Sequence, residues 1–156
     1  MATATVPIVD ARLGAAASAF VTSKHQMYID GKFTASSSGK TFAVFNPATG
    51  EEICQVPEGD AVDVDRAVRA ARRAFDGGAW PAMSPSKRGQ LLYRLADLLE
   101  QHTDEFAELE SLDNGKPVSI ARVADVPLAV DLFRYMSGGL RRRWGRRFRC
   151  PLAMIF

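Results

Sequence analysis

The stretch Leu109-Glu110-Ser111-Leu112-Asp113-Asn114-Gly115-Lys116-Pro117 contains the end of one predicted helix and the turn that stops it. Leu109 and Leu112 continue an apolar stripe at helical spacing. Asn114-Gly115 permits the positive φ at which helices commonly end, and Pro117 cannot prolong the helix because it has no backbone N–H. The nonapeptide therefore predicts a helix that stops at this turn.

Two helical patterns lead towards this turn and a third follows it. Asp60 is a suitable N-cap for the first, which ends at Asp76-Gly77-Gly78, and Ser84-Pro85 opens the second. A third helix is predicted to begin with Asp125 as its cap and to run to Gly138-Gly139. The first stripe comprises Val64, Ala67, Val68, Ala71 and Phe75, and the second, with a break near Thr103, comprises Leu91, Leu92, Leu95, Leu98, Leu99, Phe106, Leu109 and Leu112.

The residues before Asp60 alternate as β-strands do. Asp30-Gly31 predicts a hairpin turn within residues 27–33. Residues 41–45 and 52–56 predict two more strands, separated by the Asn46-Pro47-Ala48-Thr49-Gly50 turn and closed by Pro57. The first 60 residues are therefore expected to form a small antiparallel β unit, and the order along the chain is β hairpin units followed by three helices.

The composition is that of an ordinary globular domain, but the charge is distributed unevenly. The chain has 156 residues, of which 47% are hydrophobic and 24% charged, which excludes a disordered, collagen-like or disulfide-scaffold protein. Six of its 20 basic residues and none of its 18 acidic ones lie in residues 140–156. The preceding part is acidic although the whole chain has a net charge of +2. The basic end suits RNA or an anionic membrane, although nucleic-acid binding is the less favoured interpretation.

No targeting signal or membrane span is predicted. No apolar run approaches the ~18 residues that a span needs, and residues 1–24 are interpreted as a flexible N-terminal arm. Cys54 and Cys150 lie too far apart to form a metal or redox motif. A cytoplasmic protein without membrane partners is therefore expected.

Screening residue by residue predicts no active site. His25 and His102 share no ligand spacing with other metal-binding residues, and Glu108 and Glu110 lie on different faces of one helix. Cys54 lies in an alternating strand, where a buried, unreactive thiol is expected. No glycine-rich phosphate loop or serine nucleophile motif is present in the sequence. Catalytic and cofactor-binding residues are accordingly predicted to be absent.

Six segments in order, from Tyr28 to Gly139, resemble the start of the NAD(P)-dependent aldehyde dehydrogenase superfamily. They are Tyr28-Ile29-Asp30-Gly31-Lys32, Phe45-Asn46-Pro47-Ala48-Thr49-Gly50-Glu51, the helix over residues 63–75, residues 88–100, residues 109–117 and Phe133-Arg134-Tyr135-Met136-Ser137-Gly138-Gly139. The resemblance implies an α/β fold in which residues 25–139 form part of the N-terminal, cofactor-binding domain without its Rossmann-like sheet. Residues 140–156 depart from the family, and we interpret them as an aberrant basic tail.

The resemblance implies oxidation of an aldehyde to a carboxylic acid with NAD or NADP, through a thiohemiacetal on a cysteine, in a homo-oligomer. The catalytic cysteine and glutamate motifs and the phosphate loop of the family do not occur in these residues, so the chain is expected to be inactive and to bind no cofactor. Some members hold a structural monovalent cation with backbone carbonyls and an aspartate, which would correspond to Val44, Phe45 and Asp113. The alternative for Asp113 is an ordinary polar residue at a helix end.

Three further expectations concern the basic tail and the helices. Back-translation of residues 140–151 with freely chosen codons, read in a shifted frame, gives a family-like continuation, so we hypothesise a frameshift near Gly139 followed by an early stop. The alternative functions are a small interaction module that docks on an intact homologue and a nucleic-acid binder that uses the basic tail. The apolar stripes of the helices would normally pack against a parallel sheet, so an exposed apolar patch is expected.

Overall fold

Residues 13–139 are the part of the chain that this computed structural model describes. They form helices and two hairpins in the order α1 (Ala15–Thr22), β1 (Met27–Ile29), β2 (Lys32–Thr34), β3 (Thr41–Phe45), β4 (Glu52–Pro57), α2 (Ala61–Gly77), α3 (Ala79–Ala82), α4 (Pro85–Gln101), α5 (Thr103–Asn114), α6 (Val118–Ile120), a π-helical turn (Ala121–Asp125) and α7 (Val126–Gly139). The mixed α/β class is confirmed, and no parallel strand pair occurs within residues 13–139. None of the described helices is long and apolar enough to cross a membrane.

The two hairpins confirm the predicted strands but form separate sheets. β1 pairs with β2 so that Tyr28 faces Phe33, and Asp30 and Gly31 both have positive φ, as the tight hairpin turn requires. β3 pairs with β4 in a second antiparallel sheet, in which Val44 faces Cys54. The expected single β unit is thus divided into two two-stranded sheets.

Helix α2 begins at the predicted cap. The Asp60 side chain accepts hydrogen bonds from the backbone N–H groups of Val62 and Asp63, and the Asp63 carboxylate accepts the Asp60 N–H in return. Asp63 is buried and also accepts the Ser37 N–H at 3.0 Å. This reciprocal capping box fixes the start of α2 and ties it to the loop after β2.

The second helical pattern breaks where expected. Ser84 caps α4 by accepting the Lys87 N–H, and α4 and α5 are separated at His102. Helix α5 ends at Gly115, whose φ of +78° is the left-handed conformation predicted for this turn.

The predicted cap at Asp125 is wrong. Asp125 lies in the π-helical turn between α6 and α7, inside a continuous helical segment, and its carboxylate accepts a hydrogen bond from Lys116 Nζ at 2.5 Å. Pro127 has no N–H to donate to the carbonyl four residues earlier, and its ring crowds that carbonyl. The helix therefore widens before Pro127 and does not start there.

The main core lies between α4, α5 and α7. It consists of Ala96, Ala107, Ala121, Val126 and Val130, with Leu99, Val118 and Phe133 packed against it. Most of its members are small, so the helices approach closely. The larger apolar side chains of α2, α4 and α7 remain exposed, as the sequence predicted; they include Val68, Phe75, Leu95, Leu98 and Leu132.

The segment expected to be a flexible arm contains an ordered helix over Ala15–Thr22. Ala17 and Val21 are buried where α1 packs against α5 and β4, and the Gly14 N–H donates to the Glu108 carboxylate at 2.8 Å. Alanine favours helix formation. Because the buried face of α1 consists mostly of small side chains, the periodicity of the sequence does not reveal this helix. Residues 1–12 of the expected arm and the whole expected tail, residues 140–156, lie outside the described residues.

Candidate functional site

The residues proposed to hold a cation lie next to two turns, formed by residues 46–50 and 113–117. In the first turn, the Asn46 side chain accepts the Ala48 N–H at 2.9 Å, and the Asn46 carbonyl accepts the Gly50 N–H at 2.7 Å. Gly50 has a φ of +75°, which returns the chain into β4. The loop is thus shaped by its own hydrogen bonds.

The second turn is stabilised in the same local way. The Gly115 N–H donates to the Ser111 carbonyl at 3.0 Å, and the Asn114 side chain accepts the Lys116 N–H at 2.9 Å. The Ser111 hydroxyl donates to the Lys116 carbonyl at 2.6 Å. These bonds satisfy backbone groups that the end of α5 would otherwise leave without partners.

The two turns touch at Gly115. A Cβ at this position would lie 3.1 Å from Pro47 Cγ and 3.6 Å from the Ala48 nitrogen. Gly115 therefore serves two purposes, since it adopts a positive φ and leaves room for the neighbouring turn. Two motifs that are far apart in the sequence meet here, and we call this contact the two-turn junction.

Val44, Phe45 and Asp113 lie beside the two-turn junction. The pairing of β3 with β4 shifts between Val44 and Phe45, because Ile53 is an extra residue in β4. Such a bulge interrupts the regular hydrogen bonding of the strands and redirects the local backbone. Asp113 is exposed, and no side chain within residues 13–139 forms a salt bridge with it.

The local charge beside this junction is negative. The pKa of the Cys54 thiol is raised, first by burial and then by the nearby carboxylates of Glu52 and Asp113. The Cys54 thiol is therefore expected to be protonated at neutral pH, and it is half-buried where a buried thiol was expected. A carboxylate together with backbone carbonyls is the oxygen donor set that suits a hard monovalent cation. The negative charge around this junction also attracts a positive ion.

Lys116 places a positively charged side chain at the second turn. Its Nζ contacts the Asp125 carboxylate at 2.5 Å and lies 3.8 Å from Glu110 Oε1. The pKa of Lys116 is raised mainly by its hydrogen bond with Asp125. Because Lys116 is engaged by these two carboxylates, it is not paired with Asp113.

A cleft of about 450 Å³ is lined in part by the same turns. Its charged lining residues are already engaged, since Glu108 accepts the Gly14 N–H and Arg122 donates to Asp104 at 2.6 Å. The role of Glu108 was not foreseen, because its partner belongs to the segment interpreted as an arm. The cleft is lined by Leu13, Asn46, Ala48, Thr49, Glu108, Ser111, Leu112, Gly115, Pro117, Val118, Ser119 and Arg122.

The other screened residues make local contacts. His25 shares a hydrogen bond with the Val21 carbonyl, and His102 contacts Glu105. Glu110 accepts a hydrogen bond from Asn114, so it does not face Glu108 across a site. No group of three or more His, Cys, Asp or Glu side chains in residues 13–139 is arranged to hold a metal ion.

The described residues do not fit a dinucleotide. A dinucleotide phosphate commonly binds at the N-terminus of a helix that follows a strand and a short loop, and β4 and α2 have this order. The carboxylates of Asp60 and Asp63 already accept the N–H groups at the start of that helix and would repel a phosphate. We therefore derive no catalytic step through NAD in residues 13–139.

Comparison with known proteins gives the ancestry of this arrangement. The model of the aldehyde dehydrogenase family matches residues 33–154. The chain is 52% identical over 113 residues to the mitochondrial aldehyde dehydrogenase family 2 member B4 of Arabidopsis thaliana, covering 72% of this chain and 21% of that protein. It is 46% identical over 123 residues to the mitochondrial aldehyde dehydrogenase of Homo sapiens, covering 78% of this chain and 24% of that protein.

The fold leads to the same family. An NAD+ complex of an aldehyde dehydrogenase from Bacillus cereus matches with a TM-score of 0.82 and 40% identity, over 88% of this chain and 28% of that one. The chain spans about a quarter of the length of the relatives that it matches. The family model covers well over half of the 156 residues, and the two hairpins and the helices that follow have the same arrangement as in an intact member. The chain belongs to the aldehyde dehydrogenase family.

Proposed function

We propose that this sequence forms the N-terminal part of an NAD(P)+-dependent enzyme that oxidises an aldehyde to a carboxylic acid. Six segments between Tyr28 and Gly139 follow the order of the family, and the described residues superpose on an aldehyde dehydrogenase bound to NAD+ with a TM-score of 0.82. That superposition is the observation that carries the proposal. NAD is the favoured cofactor, a homo-oligomer the favoured assembly and the cytoplasm the favoured compartment.

The contribution of residues 13–139 is structural in this proposal. The hairpins and helices position one another through the capping box of α2, the two-turn junction and the α4–α7 contact. The screened side chains of His102, Glu108 and Glu110 are engaged in local hydrogen bonds. The pKa of the Cys54 thiol is raised by burial and by neighbouring carboxylates. The 156-residue chain alone is therefore proposed to be inactive.

A chimera and the isolated chain test the two halves of this proposal. In the chimera, residues 28–139 replace the matching segment of the Bacillus cereus aldehyde dehydrogenase. We expect aldehyde-dependent reduction of NAD+ by the chimera and none by the isolated chain, with the parent enzyme as the positive control. A folded but inactive chimera would contradict the proposed role, and NADH formation by the isolated chain would contradict its inactivity.

We also propose a structural monovalent cation held by the carbonyls of Val44 and Phe45 and by the Asp113 carboxylate. The supporting observations are the bulge between Val44 and Phe45, the absence of a salt-bridge partner for Asp113 within residues 13–139, and the negative surroundings of Cys54. Such an ion would stabilise the two-turn junction and take no part in the chemistry.

Thermal melting in different chloride salts tests the cation. At constant ionic strength, potassium or sodium is expected to raise the melting temperature above that in choline chloride, and Asp113→Asn is expected to remove the difference. Asp131→Asn, an exposed aspartate on α7, is the matched control and is expected to keep it. Equal melting of the wild type in all three salts would exclude the site.

A further inference from the structure

The chain contains two asparagines, and both lie in the turns that meet at the two-turn junction. Each side chain accepts the N–H of the residue two positions later, at 2.9 Å in both cases. Asn46 is followed by Pro47, whereas Asn114 is followed by Gly115. The two turns are therefore alike in this hydrogen bond but differ in the backbone nitrogen that follows the asparagine.

That nitrogen decides whether an asparagine can form a cyclic imide and lose its side-chain amide. The nitrogen gives its proton to water and bonds to the side-chain carbonyl carbon Cγ, while the Cγ–Nδ2 bond breaks and Nδ2 leaves as ammonia with a proton from water. Water then opens the imide to aspartate or isoaspartate. Glycine has no side chain to hinder the attack, and proline has no N–H to lose. Asn114 therefore has the reactive neighbour and Asn46 does not.

The folded turn restrains every reacting group of Asn114. The attacking atom, the Gly115 nitrogen, donates its hydrogen to the Ser111 carbonyl at 3.0 Å. The leaving group, Asn114 Nδ2, donates to Glu110 Oε1 at 2.5 Å, and Asn114 Oδ1 is fixed by the Lys116 N–H. Asn114 is also the last residue of α5, and closing the ring draws its backbone out of the helical conformation. The reaction therefore requires the turn to open.

The position of the turn makes this opening a local event. Asn114 and Gly115 are exposed and lie where α5 ends, and a helix end opens at a lower free energy than the core. We propose that Asn114 is a site of spontaneous deamidation whose rate is set by unwinding of the last turn of α5. The reaction goes beyond aldehyde oxidation and does not depend on it, because it needs only this chain and water.

Deamidation prevents the turn from closing again in the same form. Glu110 and residue 114 lie four positions apart on α5, so an aspartate at 114 places two like charges together and removes the donor to Glu110. The added negative charge also lies at the end of the helix where the dipole disfavours it. Isoaspartate adds a methylene to the main chain before Gly115 and shifts it relative to Pro47. The modification therefore loosens the two-turn junction permanently.

Peptide mass spectrometry of the full chain tests the site. The chain is incubated in mildly alkaline buffer, either folded or unfolded in guanidinium chloride at the same pH, and aspartate and isoaspartate are measured at positions 46 and 114. We expect Asn114 to react about tenfold more slowly in the folded chain than in the unfolded one, as for a group that reacts only on local opening. Asn46, the internal control, is expected to stay intact in both.

Two variants test the hydrogen bond that holds the leaving group. Glu110→Ala is expected to raise the rate in the folded chain about fivefold, the effect of losing one side-chain hydrogen bond, and to leave the rate in the unfolded chain unchanged. Glu110→Gln keeps an oxygen acceptor and is the matched control, with rates expected to stay close to those of the wild type in both states.

The wild type decides the proposal without any variant, even if Glu110→Ala fails to fold. An intact Asn114 in the unfolded chain would exclude the site, and equal rates in the two states would show that the turn does not control it. An Asn114 that stays intact in the folded chain while the unfolded chain is fully converted would show that the turn does not open. Equal loss of the amide at Asn46 would indicate direct hydrolysis. Equal effects of Glu110→Ala and Glu110→Gln would contradict the role of the Glu110 hydrogen bond.

Discussion

The backbone of Gly89 in α4 lies directly against the carbonyl oxygen of Ser137 in α7. A Cβ on Gly89 would lie 2.7 Å from that oxygen, a distance that real Cβ atoms do not reach. The α4–α7 pair makes the most extensive helix contact of the described residues, and Arg134 links it further through Asp97 and Glu100. The absence of a side chain at Gly89 therefore sets how closely the two main helices of the core approach.

Gly89→Ala is expected to destabilise the protein although alanine is the better helix former. The new methyl group must push α7 away, which typically costs about 1–3 kcal/mol in a packed interior. Gly77→Ala at the end of α2, where an added Cβ would meet nothing within 4 Å, is the matched control and is expected to be neutral or to stabilise by up to ~1 kcal/mol. Urea unfolding measures both. Equal effects of the two substitutions would show that Gly89 does not govern the α4–α7 contact.

Gly115→Asn and Gly50→Asn separate the cost of a positive φ from the cost of contact. The two glycines have φ of +78° and +75°, and asparagine tolerates this conformation better than most residues. A Cβ on Gly115 would lie 3.1 Å from Pro47 Cγ, whereas a Cβ on Gly50 would have nothing within 4 Å. Gly115→Asn is expected to lower the free energy of unfolding by roughly 1 kcal/mol more than Gly50→Asn. A larger loss at Gly50 would contradict the two-turn junction.

The stability of α2 is expected to fall in acid through Asp60. The pKa of Asp60 is lowered, first by the hydrogen bond from the Ser37 hydroxyl and then by the backbone N–H groups of Asp63 and Val62. The folded pKa lies below the unfolded one, so this stabilisation is complete above the unfolded value and is lost as the pH falls through the folded value. Asp60→Asn retains the cap acceptor and removes the titration. Chemical unfolding against pH is expected to show a smaller acid loss for Asp60→Asn than for the wild type, and parallel curves would refute this role.

Glu108 is expected to hold α1 in place. Its carboxylate accepts the Gly14 N–H at the start of α1, where the helix dipole favours a negative charge. Glu108→Ala is expected to speed amide hydrogen exchange in α1 about fivefold, the effect of losing a helix cap of ~1 kcal/mol. Glu105→Ala on the same helix, where the side chain contacts His102 instead, is the control. Unchanged exchange in α1 would mean that burial of Ala17 and Val21 alone secures this helix.

The sequence was most informative where structure depends on near neighbours. The Asp30-Gly31 turn, the cap at Asp60, the helix start at Ser84-Pro85 and the stop at Gly115 depend on residues close in the sequence, and all four were predicted. The predicted start of the last helix was wrong. Pro127 is compatible either with the first turn of a helix or with an interruption inside one, and the Asp125 carboxylate pairs with Lys116 instead of capping the helix. Such a choice depends on tertiary contacts that periodicity does not contain.

The long-range features escaped prediction for the same reason. Helix α1 depends on Glu108, which is 94 residues away in the sequence, and the close approach at Gly89 depends on a carbonyl in α7. The contact between the Pro47 turn and the Gly115 turn could be predicted only indirectly, because the family resemblance placed Val44, Phe45 and Asp113 in one cation site. The three residues lie beside one junction, and the cation site itself stays a prediction.

The central claim is that these residues form the N-terminal part of an aldehyde dehydrogenase, and the rate of NADH formation by the chimera tests it most directly. We predict that the chimera carrying residues 28–139 oxidises an aldehyde substrate of the parent enzyme with a kcat within about tenfold of that enzyme, because the transplanted part positions helices and supplies no reacting group. A chimera that folds and assembles like the parent but forms no NADH would contradict the account.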